Sequence, residues 1–192
     1  MSYFPAFLQL EEKKILLVGG GTIALEKLEK LLDFTTSITL IAREFTDQTL
    51  TLAAQHSLTL HKRSYKTGDI IGFDIVIVAV DDIALQAAIF EESKKYKCLC
   101  NAVDSTAFCD FIFPSYIKEG DLTIAVSTSG ASPAIAKNLR IYLQSLLPKN
   151  LMAFLEEMKR VRASFPKGKA RMKFLDEKAK RYFKALSPNK ES

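Results

Sequence analysis

The sequence predicts an α/β fold built on a parallel sheet, and three observations predict it. A short apolar run, Ile15-Leu16-Leu17-Val18, ends in three glycines, Gly19-Gly20-Gly21. A helical pattern follows at once, with Ile23, Ala24, Leu28, Leu31 and Leu32 recurring at spacings of three and four. Strand-like runs and helical stretches then alternate as far as Asp104, the pattern of a parallel sheet. Strand, glycine turn and helix make the first third of a dinucleotide-binding βαβ unit, so the class is a Rossmann-type parallel sheet domain.

Read as G-x-G-x-x-A, the glycines of the motif are Gly19 and Gly21, with Ala24 in the third small position. Gly19 permits the tight turn, Gly21 lets backbone approach a pyrophosphate, and Ala24 lets the helix sit close to the strand. The phosphates would lie on the N–H groups at the helix start, where the dipole favours anions. The plainer alternative is a glycine turn in another parallel α/β fold.

Before this stretch, Tyr3 to Leu10 reads as a short apolar segment laid along the sheet, limited by Pro5. After it, Ser37 to Ala42 is a second strand rich in β-branched residues. A nicotinamide-adenine site places an acid at the end of this strand to hold the ribose hydroxyls. Arg43 and Glu44 stand there. Glu44 favours NAD, Arg43 would welcome a 2′-phosphate, and both read equally as solvated loop charges; the lean is to NAD. Thr46 to His56 is a helix and Leu58 to Lys62 a third strand. Gly72 to Asp82 holds the strongest strand, apolar on both faces as a central parallel strand must be. Asp81 and Asp82 end it, where α/β sheets bind ligands. Capping of the next helix, Ile83 to Lys97, is the preferred role of the pair. Lys97 to Val103 is the fifth strand, and Asp104 follows it.

Past Asp104 the alternation stops. Asp110 to Phe113 and Leu122 to Ser127 read as a strand pair around a turn at Glu119-Gly120. Ser132 is a good N-cap and Pro133 a good first helical residue. That helix runs through Leu139 and Leu143 to Leu147 and stops at Pro148. A final helical stretch, Leu151 to Leu186, is broken near Pro166-Lys167-Gly168, and the last six residues are expected to fray. The expected division is a dinucleotide-binding domain over 1–113, a small α+β segment over 114–148 and a helical domain over 149–192.

The 192 residues are 48% hydrophobic and 26% charged, a globular and not a disordered balance. No apolar run approaches a membrane span, and Met1 to Leu10 lacks the basic start of a signal peptide. Three cysteines, Cys98, Cys100 and Cys109, suit a reducing cytoplasm better than a disulfide framework. Cys98 and Cys100 read as buried small hydrophobes, and His56 and His61 as surface residues outside any metal-ligand spacing. No Tyr-x-x-x-Lys pair occurs, which removes the usual short-chain dehydrogenase chemistry. The net charge is +5, with Lys and Arg dominating after Pro148. Such an end suits nucleic acid, membrane or a polyanionic small molecule.

Two places remain for chemistry. Asp104 lies just past the fifth strand, beside the expected nicotinamide, where a carboxylate accepts a proton or guides a metal ion. Its alternative is a turn or cap aspartate. Ser127, Thr128, Ser129 and Gly130 are small residues leading to a helix start, a receptor for carboxylates or phosphates, or else a solvent-exposed turn.

Several stretches resemble one family. They are Phe4-Pro5-Ala6-Phe7, Leu17-Val18-Gly19-Gly20-Gly21 with Ala24 and Lys27, Ala79-Val80-Asp81-Asp82, and Asn101-Ala102-Val103-Asp104. Phe111-Ile112-Phe113-Pro114-Ser115 and Ala125-Val126-Ser127-Thr128-Ser129-Gly130-Ala131-Ser132-Pro133 complete the set. The chain resembles the precorrin-2 dehydrogenase/sirohydrochlorin ferrochelatase family, which includes the N-terminal half of siroheme synthase. The similarity runs along essentially the whole chain in order. It implies an NAD-binding Rossmann part, a homodimer built by exchange through the central segment, and a C-terminal helical part closing the substrate cleft. It implies that NAD takes a hydride from precorrin-2, a tetrapyrrole with many carboxylates, giving sirohydrochlorin. Some members then insert ferrous iron. It further implies that Asp104 serves both steps as a base, that Gly21, Thr22, Ile23, Arg43 and Glu44 touch the cofactor, and that Ser127 to Ser129 lie by the substrate. Some relatives carry serine at Thr128, so a role needing serine itself does not transfer. A polyanionic tetrapyrrole accounts for the basic end and demotes nucleic acid, since no aromatic-and-basic surface motif is visible. The rival from another class is a non-enzymatic NAD-sensing dimeric module.

Overall fold

The computed structural model describes residues 3–186. The last six residues, for which fraying is expected, lie outside the described residues. The chain divides into two compact units that meet in sequence at Phe113 and Pro114.

The first unit is a parallel sheet with helical crossovers. Its strands are β1 (Ile15–Val18), β2 (Ile38–Ala42), β3 (Thr59–Lys62), β4 (Ile75–Val78) and β5 (Leu99–Ala102). Helices α1 (Thr22–Leu32), α2 (Asp47–Gln55) and α3 (Ile83–Tyr96) form three of the connections, whereas β3 runs to β4 through turns alone, so the expected alternation is interrupted there. The strand order is β3-β2-β1-β4-β5, with every pair parallel. The apolar run at residues 15–18 is therefore the centre of the sheet, Ile15 pairing with Ile38 on one side and Ile75 on the other.

Alternation along β1 sends Ile15 and Leu17 to one face and Leu16 and Val18 to the other. The first pair packs with Ala24, Leu28 and Leu40; the second packs with Ile70, Val76 and Ile89. Each fully buried aliphatic side chain contributes about 1.5–3 kcal/mol. The chain leaves β1 toward β2 on one side and returns to β4 on the other. That reversal opens a crevice at the carboxyl ends of β1 and β4, the usual ligand position of open α/β sheets.

The N-terminal segment forms no regular structure. Leu10 packs against the core, but Phe4 and Phe7 stay 87% and 75% exposed. Phe7, Leu8 and Leu10 instead line a shallow groove with Ile75 and Leu99.

The second unit holds β6 (Ser115–Glu119) and β7 (Leu122–Val126), an antiparallel hairpin turning at Gly120-Asp121. Helices α4 (Pro133–Leu146), α5 (Leu151–Ser164) and α6 (Lys169–Leu186) follow. The expected first strand, Asp110 to Phe113, is not a strand; pairing begins only after Pro114. The reason is that residues 109–111 are already taken by β5. The Asp110 N–H donates to the Cys100 carbonyl at 2.7 Å, and the Cys100 N–H donates to the Asp110 carboxylate at 2.9 Å. The Asn101 amide donates to the Phe111 carbonyl at 2.8 Å. The break between α5 and α6 falls at Phe165–Gly168, where Pro166 cannot continue the helix. The two helices then meet through Phe154 stacked on Tyr182 at 4.0 Å and Phe165 on Phe174 at 5.1 Å.

Candidate functional site

The glycine turn between β1 and α1 is shaped residue by residue. Gly19 sits at φ +133°, and a Cβ there would lie 2.3 Å from the Ala79 carbonyl oxygen. Its N–H donates to Ile41 at 2.9 Å, tying the turn to β2. Gly20, which the motif reading leaves without a role, is closed by packing. A Cβ there would lie 2.1 Å from the Glu44 carbonyl oxygen, and the Gly20 carbonyl accepts from the Thr46 N–H at 3.0 Å. Gly21 is the opposite case, since a Cβ there meets nothing within 4 Å. It is the N-cap of α1 but offers no side-chain cap, and the first turn holds no acidic residue. The N–H groups of Thr22, Ile23 and Ala24 have no partner within the helix, as at any helix start. An uncapped, carboxylate-free helix start facing open space at the sheet's switch point fits the pyrophosphate of a dinucleotide.

A cleft of about 850 Å³ opens beside this turn. Gly19, Gly20, Gly21, Arg43, Glu44, Arg63, Tyr65 and Asp81 are among its lining residues. Five residues singled out from the sequence, Gly19, Gly21, Arg43, Glu44 and Asp81, thus share one cavity. Thr22 and Ile23 form the adjoining first turn of α1. The paired acids divide their work: Asp82 caps α3 by accepting from the Leu85 N–H at 3.0 Å, and Asp81 is left exposed in the cleft.

Arg63 and Tyr65 escaped the sequence reading because no motif contains them. Arg63 is held by Asp69 through bonds of 2.6 and 2.9 Å, which keep the Asp69 carboxyl below its ordinary range. The Tyr65 hydroxyl donates to buried Glu92 at 2.8 Å, and burial with that bond pushes the phenol well above its usual value. Their partners make these two a fixed wall of the cleft.

Asp104 stands two residues past β5 and is exposed, at φ +62°, in the left-handed region that few residues other than glycine adopt. It is not among the residues lining the cleft. Gln86, on α3, donates to the carbonyls of Val80 at 2.8 Å and Val103 at 3.4 Å, the residues just before Asp81 and Asp104. Cys98 and Cys100 are buried, and burial pushes both thiols up to about 12.

Ser127, Thr128 and Ser129 follow β7 in the second unit. The Thr128 hydroxyl is used locally: it donates to the Ser132 carbonyl at 3.1 Å and accepts from the Ser132 N–H at 3.0 Å. Ser127 accepts from the Ser129 N–H at 3.0 Å, and Ser129 is left-handed at φ +53°. Ser132 caps α4 by accepting from the Ile135 N–H at 3.3 Å. Ser127 and Ser129 present exposed hydroxyls.

Known proteins resemble the chain along most of its length. A family described as putative NAD(P)-binding matches residues 6–115, and one described as the sirohaem biosynthesis protein central region matches residues 119–143. The chain is 37% identical over 180 residues to the siroheme synthase of Methylococcus capsulatus, covering 91% of this chain and 38% of that protein. It is 36% identical over 151 residues to the siroheme synthase of Pseudoalteromonas translucida, covering 79% of this chain and 32% of that protein. The chain thus spans about a third of the length of these curated relatives. A solved structure described as SirC, precorrin-2 dehydrogenase, superposes with a TM-score of 0.74 at 25% identity, covering 91% of this chain and 88% of that one.

Proposed function

The chain belongs to the family of the siroheme synthase N-terminal module, and from that premise we propose that it is an NAD-dependent dehydrogenase converting precorrin-2 to sirohydrochlorin. The observation that carries the reading is the uncapped start of α1 at Gly21, open at the sheet's switch point. The resemblance to proteins named for this chemistry supports it.

Bound NAD supplies the hydride acceptor. The N–H groups of Gly21, Thr22 and Ile23 hold its pyrophosphate, with Gly19 setting the turn. Glu44 accepts from the adenosine ribose hydroxyls, the basis for NAD over NADP, while Arg43 and Asp81 line the cofactor's path. Precorrin-2 loses one hydride and one proton, and Asp104 accepts the proton. Its exposure leaves its carboxylate open to a substrate. Ser127 and Ser129 offer hydroxyls to substrate carboxylates, and Thr128 holds their loop in shape.

The protein acts as a homodimer in the cytoplasm, to which its free thiols are suited. The dimer is supported by an apolar stripe on α4, where Ile135, Leu139, Tyr142 and Leu146 are 42–60% exposed. In this reading residues 114–148 form the dimerisation segment and residues 149–192 the helical domain closing on substrate. Insertion of ferrous iron into sirohydrochlorin is a second step, supported by the name of the relatives. It is checked by adding ferrous iron to sirohydrochlorin; insertion no faster than without protein removes that step.

The primary test is anaerobic incubation with precorrin-2 and either NAD or NADP. NADH and sirohydrochlorin should appear together, faster than with NADP. Cofactor binding without turnover would instead favour a non-enzymatic sensing module.

A further inference from the structure

Lys27 occupies the second turn of α1, past the glycine turn and on a side that does not line the cofactor cleft. It is half-buried, and its ammonium lies 4.8 Å from the centre of the Phe113 ring. The charges around it are Glu26 and Lys30 on its own helix and Asp104 from the end of β5, with the neutral Cys109 thiol also nearby. Among the described residues it makes no hydrogen bond and no ion pair. An ammonium carries three donors, and a ring face satisfies none of them. Burial, with the Lys30 charge adding, pulls Lys27 below its ordinary value. The Phe113 ring, Glu26 and Asp104 offset part of that cost, but none of them accepts a hydrogen bond from the ammonium.

We propose that Lys27 receives a carboxylate of the substrate and so decides which edge of the tetrapyrrole is presented to Asp104. The inference rests on the dehydrogenase reading and adds a substrate-binding residue to it. An arriving carboxylate supplies a charge-assisted hydrogen bond that no described protein group supplies and restores the charge that burial weakens. The pyrophosphate of the cofactor is not the anion meant, since that belongs to the start of the same helix. With Asp104 within electrostatic reach, Lys27 also makes the site selective. One carboxylate fits on the lysine, and a second one nearby is repelled by the aspartate.

The test uses the whole protein with Lys27→Met and Lys27→Arg. Precorrin-2 turnover is measured with NAD, and sirohydrochlorin binding is followed by absorbance. Lys27→Met should raise KM for precorrin-2 and Kd for sirohydrochlorin by about tenfold or more, the size of a charge-assisted hydrogen bond. KM for NAD should stay within about twofold, and Lys27→Arg should recover most of the loss. An unchanged KM for precorrin-2, an equal loss of NAD affinity, or no recovery with arginine would overturn the assignment. A second arm needs no variant: lysine acylation of the wild-type protein, read by peptide mass spectrometry. Sirohydrochlorin should shield Lys27 and NAD alone should not; absence of shielding refutes the proposal. If the wild-type protein itself fails to oxidise precorrin-2, the dehydrogenase reading fails. If it succeeds and Lys27→Met matches it, only the lysine assignment falls.

Discussion

Gly20 and Gly21 are neighbours that fail in opposite ways when substituted. A methyl group at Gly20 has to push the Glu44 carbonyl aside, and Ala42 and Phe45 crowd it at 2.9 Å. Gly20→Ala should therefore destabilise by about 1–3 kcal/mol, read as a lower urea midpoint, whether or not cofactor is present. Gly21→Asp projects into open space, so the protein should unfold at the wild-type midpoint yet lose NAD affinity, because its carboxylate meets the pyrophosphate. Asp104→Ala should lower kcat about a hundred- to ten-thousand-fold if the residue is the proton acceptor; a tenfold loss or less makes it structural. Cys98 and Cys100, buried and with thiols held up near 12, should resist iodoacetamide in the native protein and react on unfolding, as peptide mapping would show. At this scale the sequence was legible where a motif forces a residue, as at Gly19 and Ala24. It was not legible for Gly20, whose constraint comes from the β2–α2 loop, or for Lys27, whose surroundings come from β5 and Phe113.

The elements that read cleanly are those with their signals inside themselves. β1, β2 and β4 are apolar runs too short for helices, and α2, α3 and α4 begin at side-chain caps on Thr46, Asp82 and Ser132. Removing one cap should cost its helix alone: Asp82→Ala is expected to lose about 1 kcal/mol by urea titration. The hairpin is the element whose start moved. Residues 110–113 have the composition of a strand, but nothing local announces that Asp110 will be recruited by Cys100 and Lys94, 10 and 16 residues upstream. The stripe on α4 carries a further expectation. Tyr142→Glu should leave the chain folded and shift its mass by light scattering from dimer to monomer. A wild-type protein that is monomeric at micromolar concentration would remove the dimer from the proposal.

For the molecule as a whole, two tertiary anchors set the response to acid. Asp74 accepts from the Lys14 N–H and the Lys13 ammonium, each at 2.9 Å, and Asp69 accepts from Arg63. Both carboxyls titrate below the ordinary aspartate value of 3.8, so both stabilise the fold above that pH and lose that contribution as pH falls through their lower folded values. The urea midpoint should hold from neutrality to about pH 5 and drop below pH 4, and Asp74→Asn should flatten the drop. The bracing of β5 by residues 109–111 matters for how copies of the protein avoid one another. A parallel sheet has two raw margins, and a raw margin invites a neighbour's backbone. Here one margin, β3, is studded with Thr59, His61 and Lys62, and the other is sealed at Cys100 and Asn101 by the protein's own chain. A fragment cut short of Cys109 would strip that seal and should polymerise through β5, whereas one ending at Phe113 keeps it.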